Sequence, residues 1–373
     1  MVTAMRRPRL VAPAGGVYHV VSRTAFRRFA FRPEERNAFV RLLARVAAFS
    51  GVCVLTFAVM SNHFHLLVRV PEGHEVSDEE LERRVRALYG DARADRLFAR
   101  WERWRATGAE SAVEEAKARL RARMHDLSQF CKTLKETFTM DYNRRTGNVG
   151  GIWGGRFRSV LVAPEAAALL SVGAYVDANP VKAGMAHRPR DYRWAGFADA
   201  LRGNSLAREG IAELVRLVRG AAVAPPFDEA AAVYGAALEG RLGAEASAAG
   251  SDPSATAAES AHAESAHAGS AHAGSAPAGS DPREGPAEAR AAALARGTIA
   301  EKLSSGEPIS FAEMLLCDVP AFSRGGVLGS RRFVAPFSMR RNGRDRTAPF
   351  PLAAGILLWT DRPLAGPPLR MVS

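Results

Sequence analysis

The segment Asn62-His63-Phe64-His65-Leu66-Leu67 sets two imidazoles one residue apart. On a β-strand alternate side chains share a face, so His63 and His65 would project together while Phe64 and Leu66 pack on the other side. On a helix the same two rings would diverge by about 200°. Two neutral imidazoles on one strand face can hold a divalent cation and leave positions for oxygen ligands and substrate. Taken alone, such a pair is more often structural. A second group gives it weight: in AYVDANPVKAG (174–184), Tyr175 and Asn179 lie four residues apart. On a helix their phenol and amide share one face, and Pro180 is expected to end that helix near Asn179 and leave both at an exposed terminus. A tyrosine hydroxyl can attack a phosphodiester when a metal neutralises the phosphate and stabilises the departing oxygen.

These residues need elements to position them. VYHVVSRT (17–24) reads as a strand after a Pro-Ala-Gly-Gly turn, and Phe39, Leu42, Leu43, Val46 and Phe49 recur at helical spacing behind Pro33. Gly51 stops that helix. VCVLTFAVM (52–60) and HFHLLVRV (63–70) read as two strands joined tightly at Ser61-Asn62. A charged helical excursion follows over about 75–125, then a longer helix to about Arg145, a strand over 157–163 and a helix behind Pro164. The expected class is α+β. Residues 1–220 form the expected catalytic unit, with 75–125 as a helical insertion.

Residues 243–286 are Ala, Ser, Gly and Pro with scattered charge, including a five-residue near-repeat built on Ser-Ala-His-Ala. With almost nothing to bury, this stretch is expected to be a disordered linker, its His262, His267 and His272 spacers rather than metal ligands. Residues 287–373 read as a basic C-terminal region of unknown fold, with helix plausible over 287–303.

The chain of 373 residues carries 51 Lys and Arg against 39 Asp and Glu, a net charge of +12. Such an excess points to a polyanionic partner. No apolar run approaches the roughly 20 residues needed to span a bilayer, and the N-terminus lacks a secretory core, so the expectation is a cytoplasmic protein with no membrane partner. Cys53, Cys131 and Cys317 are too few and too scattered for a disulfide framework or a CxxC site. They read as small hydrophobes.

YHVVSR (18–23), VMSNHFHLLV (59–68), GIWGGRFRS (151–159) and YVDANPVKAG followed by PRDYRW (189–194) together resemble the HUH single-tyrosine transposases, and within them the branch associated with repetitive extragenic palindromes. The blocks stand in the family's order over about half the chain. GGVLGSRRFV (325–334) is similar to a C-terminal piece of some relatives. The resemblance implies an HUH fold, that is a ferredoxin- or RRM-like antiparallel sheet with helices. It further implies Mg²⁺ or Mn²⁺ held by His63, His65 and Asn179, and Tyr175 as nucleophile. The activity implied is metal-dependent nicking and strand transfer on single-stranded or hairpin DNA through a 5′-phosphotyrosine intermediate, in a monomer or homodimer acting at the bacterial nucleoid. The long insertion and the Ala-rich helix 166–174 depart from compact relatives.

Residues 117–158 hold ten basic side chains against three acids. With Phe130, Phe138, Tyr142 and Trp153 nearby, that density suits phosphate contact and base stacking. Arg23, Lys132, Lys135, Arg144, Arg145, Arg156 and Arg158 are the candidate DNA-binding residues. His19 reads as structural, as do Trp101 and Trp104. Three alternatives stay open: a histidine-triad hydrolase, which would need a third histidine where Leu67 stands; an inactive descendant that binds palindromic DNA; and a partner-docking protein built on the linker and tail.

Overall fold

The computed structural model describes residue 12 and residues 15–249, and in the C-terminal region residues 326–330, 332–334, 350–351 and 357–360. Strand β1 (Gly16–Arg23) leads to helix α1 (Pro33–Ser50), then to β2 (Cys53–Val59) and β3 (His63–Val70). Pro33 occupies the first turn of α1 and Gly51 ends it with a φ of 70°, a conformation that glycine adopts without steric cost. Helices α2 (Asp78–Tyr89), α3 (Asp91–Ala106) and α4 (Glu110–Arg121) fill the charged stretch 75–125. Ser77 caps α2 by accepting from the Glu80 N–H. Helix α5 (Leu127–Thr146), capped by Asp126 accepting from Gln129 N–H, then returns the chain to β4 (Arg158–Val162).

The order β2-β3-β1-β4, with β1 antiparallel to both β3 and β4 and β2 antiparallel to β3, is the βαββαβ arrangement expected of a ferredoxin-like sheet. The C-terminal region extends it. Strand β5 (Gly326–Gly329) pairs parallel to β4, and β7 (Leu357–Thr360) and β6 (Phe350–Pro351) follow, so the sheet that is antiparallel through β4 becomes mixed beyond it. Residues 250–286 of the expected linker and the expected helix 287–303 lie outside the described residues; residues 243–249 belong to helix α9 (Phe227–Ala249).

One face of the sheet is the main aromatic core. Phe64 of β3 meets Phe39 of α1 at 4.8 Å between ring centroids, and Phe31, Phe138 and Trp153 complete the cluster. The other face carries Val17, His19, Val21 and Arg23 of β1 beside His63, His65, Leu67 and Arg69 of β3, as their pairing register dictates. Helix α6 (Ala166–Lys182) covers this face, backed by α8 (Ser205–Arg219) and α9. Close packing there needs glycine: a Cβ on Gly210 of α8 would stand 2.1 Å from the Val54 carbonyl of β2, at the point where β2 bulges against β3.

Helix α6 departs from expectation at its end. It runs on through Pro180 to Lys182 rather than stopping at Asn179. Proline removes one donor but still accepts, and the Ala183 and Met185 N–H groups bond to the Asn179 and Pro180 carbonyls at 3.0 and 2.8 Å, so the last turn closes after it. Nor is the terminus exposed: Tyr175 retains 2% of its accessible surface and Asn179 9%. The helix is enclosed between the sheet and α8 and α9, a layer the apolar pattern of α6 alone did not announce.

Candidate active site

Strand β3 supplies His63 and His65 from one face, and β1 supplies His19 from the same face. Their rings form a continuous group: His63 and His65 centroids are 5.0 Å apart, His19 and His65 are stacked at 5.2 Å with planes 6° apart. Tyr175 comes down from α6 edge-on to both, 5.6 Å from His19 and 5.7 Å from His65. The structure thus brings Tyr175, His63 and His65 together. His19, read from the sequence as structural, joins them.

Hydrogen bonds fix the rings. His63 Nδ1 lies 2.7 Å from Asn62 Oδ1, so it carries the proton and Nε2 keeps its lone pair. His65 Nδ1 lies 3.0 Å from His19 Nε2. His65 Nε2 is buried without a hydrogen-bond partner among the described residues. One proton bridges His65 Nδ1 and His19 Nε2, and the tautomer in which His65 donates it leaves His65 Nε2 as a bare acceptor. Burial, then the nearby Arg23 guanidinium, pushes His63 down to about 3. Burial, followed by the His63, His19, Arg23 and Lys182 charges, holds His65 well below its ordinary value. Both rings are therefore neutral at physiological pH, the form that binds cations.

This chemistry fits a divalent cation. Neutral imidazoles offer nitrogen lone pairs, and His65 Nε2 is buried with no hydrogen-bond partner among the described residues. Asn179 Nδ2 donates to the Tyr175 carbonyl at 2.7 Å, so its Oδ1 is left as an acceptor one helical turn beyond the tyrosine. Among the described residues no group of three or more His, Cys, Asp or Glu is arranged to hold a metal.

Sequence reasoning passed over Asp177. Its fully buried carboxylate accepts from Thr56 Oγ1 and Tyr234 OH at 2.7 Å each and from the Phe197 N–H at 2.9 Å. Burial pushes it up to about 6 against those donors. It ties α6 to β2, to α7 (Gly196–Leu201) and to α9 at once. The only sequence signal was an acid inside an otherwise apolar helix.

The seven basic candidates separate. Arg23 stands opposite His63, and Arg158 pairs with Val21, which pairs with His65, so both belong to the face that holds the histidines. Lys132 and Arg156 are exposed. Lys135 is turned inward: its Nζ donates to the Gly155 carbonyl at 2.7 Å and lies 5.2 Å from the centre of the Trp153 ring. Arg145 pairs with Asp141 and with buried Glu35, and exposed Arg144 with Asp141. A cleft of about 680 Å³ opens between Ser61, residues 183–185 and Trp194, with Arg36, Arg193 and Arg202 on its walls. Arg36 stacks 4.7 Å from the Trp194 ring and donates to Ser61 Oγ. Among the described residues, no helix is long and apolar enough to cross a membrane.

No curated protein matches the chain. A solved structure of a REP-associated tyrosine transposase bound to a REP hairpin is similar at 16% identity over 53% of this chain and 87% of that chain, with a TM-score of 0.35. Residues 15–79, which contain β1, α1, β2 and β3 and hence His19, His63 and His65, match the family described as "Transposase IS200 like", so this part of the chain is similar to the IS200-like transposases.

Proposed function

We propose that the protein is a metal-dependent endonuclease and strand transferase for single-stranded or hairpin DNA, a transposase whose nucleophile is Tyr175. The observation that carries this reading is the contact of the Tyr175 ring with His65 and His19 on the sheet face that also presents His63. The reading rests too on the IS200-like match over residues 15–79.

In the step proposed, the Tyr175 phenol oxygen forms a bond to phosphorus and the bond from phosphorus to the 3′ oxygen breaks. The phenol proton is released and the departing oxygen ends as a 3′-hydroxyl, leaving DNA joined to the enzyme through a 5′-phosphotyrosine. Attack by another 3′-hydroxyl reverses the step and rejoins strands. His63, His65 and Asn179 would hold Mg²⁺ or Mn²⁺, which when bound neutralises phosphate charge and stabilises the leaving oxygen. Asn62 and His19 fix the two imidazoles so that each keeps Nε2 free. Arg23 and Arg158 add positive charge on the same face for the backbone phosphates. Since Tyr175 is 2% exposed, a strand reaches it only after the groups covering the phenol shift.

The same burial favours a second reading, a chain that grips DNA hairpins without cutting them. Covalent capture separates the two: labelled hairpin oligonucleotides, divalent metal and a denaturing gel reveal a protein–DNA adduct in the first case and only dissociable binding in the second.

A further inference from the structure

The segment joining β1 to α1 reads TAFRRFAFR (24–32), and it carries the two most exposed phenylalanines among the described residues, Phe26 at 94% and Phe29 at 76%. Phe31, two residues on, is 1% exposed within the aromatic core, so the same short loop both anchors itself and displays two rings to solvent. The display is built. Thr24 N–H and Oγ1 both bond to the Asn62 carbonyl, Ala25 N–H to the Ile152 carbonyl at 2.8 Å and Phe31 N–H to the Ser61 carbonyl at 3.0 Å. Between these anchors Phe26 and Arg27 take φ values of 53° and 54°, the left-handed region that non-glycine residues enter only under constraint. A fold that strains its backbone to hold an aromatic ring in water is retaining it for a contact outside the fold.

We infer that Phe26 and Phe29 form a stacking platform for unpaired DNA bases beside the scissile phosphate, an inference that rests on the function proposed above. The chemistry of the loop selects the partner. Residues 22–32 contain Arg23, Arg27, Arg28 and Arg32 and no acid, and exposed Arg27 and Arg28 make no ion pair among the described residues, so a polyanion is the fitting neighbour. Flat rings flanked by guanidinium groups take nucleobases that lack a stacking partner, whereas bases inside a duplex are already stacked. The place is right too. Asn62 donates from Nδ2 to the Arg27 carbonyl at 3.3 Å and accepts from His63 Nδ1 at 2.7 Å, so one amide separates the loop from a cation-binding ring.

The test uses the full chain carrying Tyr175→Phe, to prevent cleavage, and measures affinity by anisotropy for a hairpin with single-stranded tails and for the same hairpin without tails. Phe26→Ala/Phe29→Ala is expected to weaken binding of the tailed hairpin by about tenfold or more, from the usual loss per unstacked base, and to leave the blunt hairpin unchanged. Phe26→Trp/Phe29→Trp restores tailed binding, whereas Phe26→Leu/Phe29→Leu, apolar but without a ring face, does not. Equal binding by the alanine and parent proteins, or full rescue by leucine, overturns the platform. So does loss of a dimer in sedimentation with DNA binding intact, which would make the loop an interface between copies. If the protein with Tyr175 intact forms no adduct and the parent binds no DNA, the proposed function itself fails. An adduct with unchanged alanine binding removes only the platform.

Discussion

His19 Nε2 lies 3.0 Å from His65 Nδ1, with the two rings stacked 6° from parallel. This contact between neighbouring strands leaves Nε2 as the nitrogen of His65 with no hydrogen-bond partner among the described residues. A ring held at Nδ1 can present only Nε2, and Asn62 imposes the same choice on His63. In the function proposed above, His63, His65 and Asn179 would hold the cation, and Asn62 and His19 would aim the two rings.

Removing an aiming residue should weaken the cation without unfolding the chain. Asn62→Ala and His19→Ala are each expected to cost about 10- to 100-fold in Mn²⁺ affinity, the usual effect of losing a hydrogen bond to a metal-binding histidine. Titration calorimetry measures this directly. Affinity equal to that of the parent protein would mean that the rings are oriented by packing alone.

Asp177 should be among the costliest single positions for stability. Asp177→Ala strands the Thr56 hydroxyl, the Tyr234 hydroxyl and the Phe197 N–H in a sealed interior, a loss of about 3 kcal/mol or more. Asp177→Asn keeps an acceptor for the Phe197 N–H, and both hydroxyls can turn to accept from its amide, so it should cost less than the alanine variant. Denaturant midpoints rank them, and an alanine variant as stable as the parent would show that the three donors find other partners.

Much of this arrangement was legible in the residues. Alternation along HFHLLVRV put His63 and His65 on one face, Pro33 and Gly51 bracketed α1, and the strand-helix-strand-strand order of the first 70 residues followed from hydrophobic spacing. What escaped depended on neighbours distant in sequence. His19 joins the site only because β1 lies beside β3, a pairing that no local pattern encodes. Pro180 was read as a stop because proline opposes helices, yet in a final turn its missing donor is easily accommodated. The burial of Tyr175 depends on α8 and α9, whose packing over α6 is a tertiary fact. Charge counting found a basic region but could not separate Lys135, whose ammonium supports the Gly155 carbonyl, from Arg158 on the site face.

Arg158→Gln should weaken single-stranded DNA binding and lower the slope of affinity against salt concentration by about one, with the melting temperature unchanged. Lys135→Met should lower the melting temperature, because the loop around Gly155 and Trp153 loses its tether. Anisotropy at several salt concentrations and calorimetry on both variants decide this. The reverse pattern would reassign the two side chains.

Cys53 should be a poor nucleophile. Burial first, then the nearby Glu213 carboxylate, pushes its thiol up to about 12 from the usual 9.0, so its thiolate fraction stays very low until the pH approaches that value. At pH 8 alkylation by iodoacetamide should run at least about tenfold slower than for a free thiol of ordinary acidity. Peptide mass spectrometry reports the rate at this cysteine, and labelling as fast as a model thiol would show that β2 opens at its end.

Tyr175 is proposed to form a covalent bond to DNA beside a cation held by His63 and His65. The most direct measurement is a denaturing gel of labelled single-stranded hairpins incubated with the protein in Mg²⁺, Mn²⁺ or EDTA, comparing the parent chain with Tyr175→Phe and His63→Ala. The expected result is a metal-dependent adduct that carries the 3′-end label of the oligonucleotide and not its 5′-end label, is absent in both variants, and maps to Tyr175 by peptide mass spectrometry. An adduct that survives Tyr175→Phe, or hairpin binding with no adduct in any metal, would contradict it.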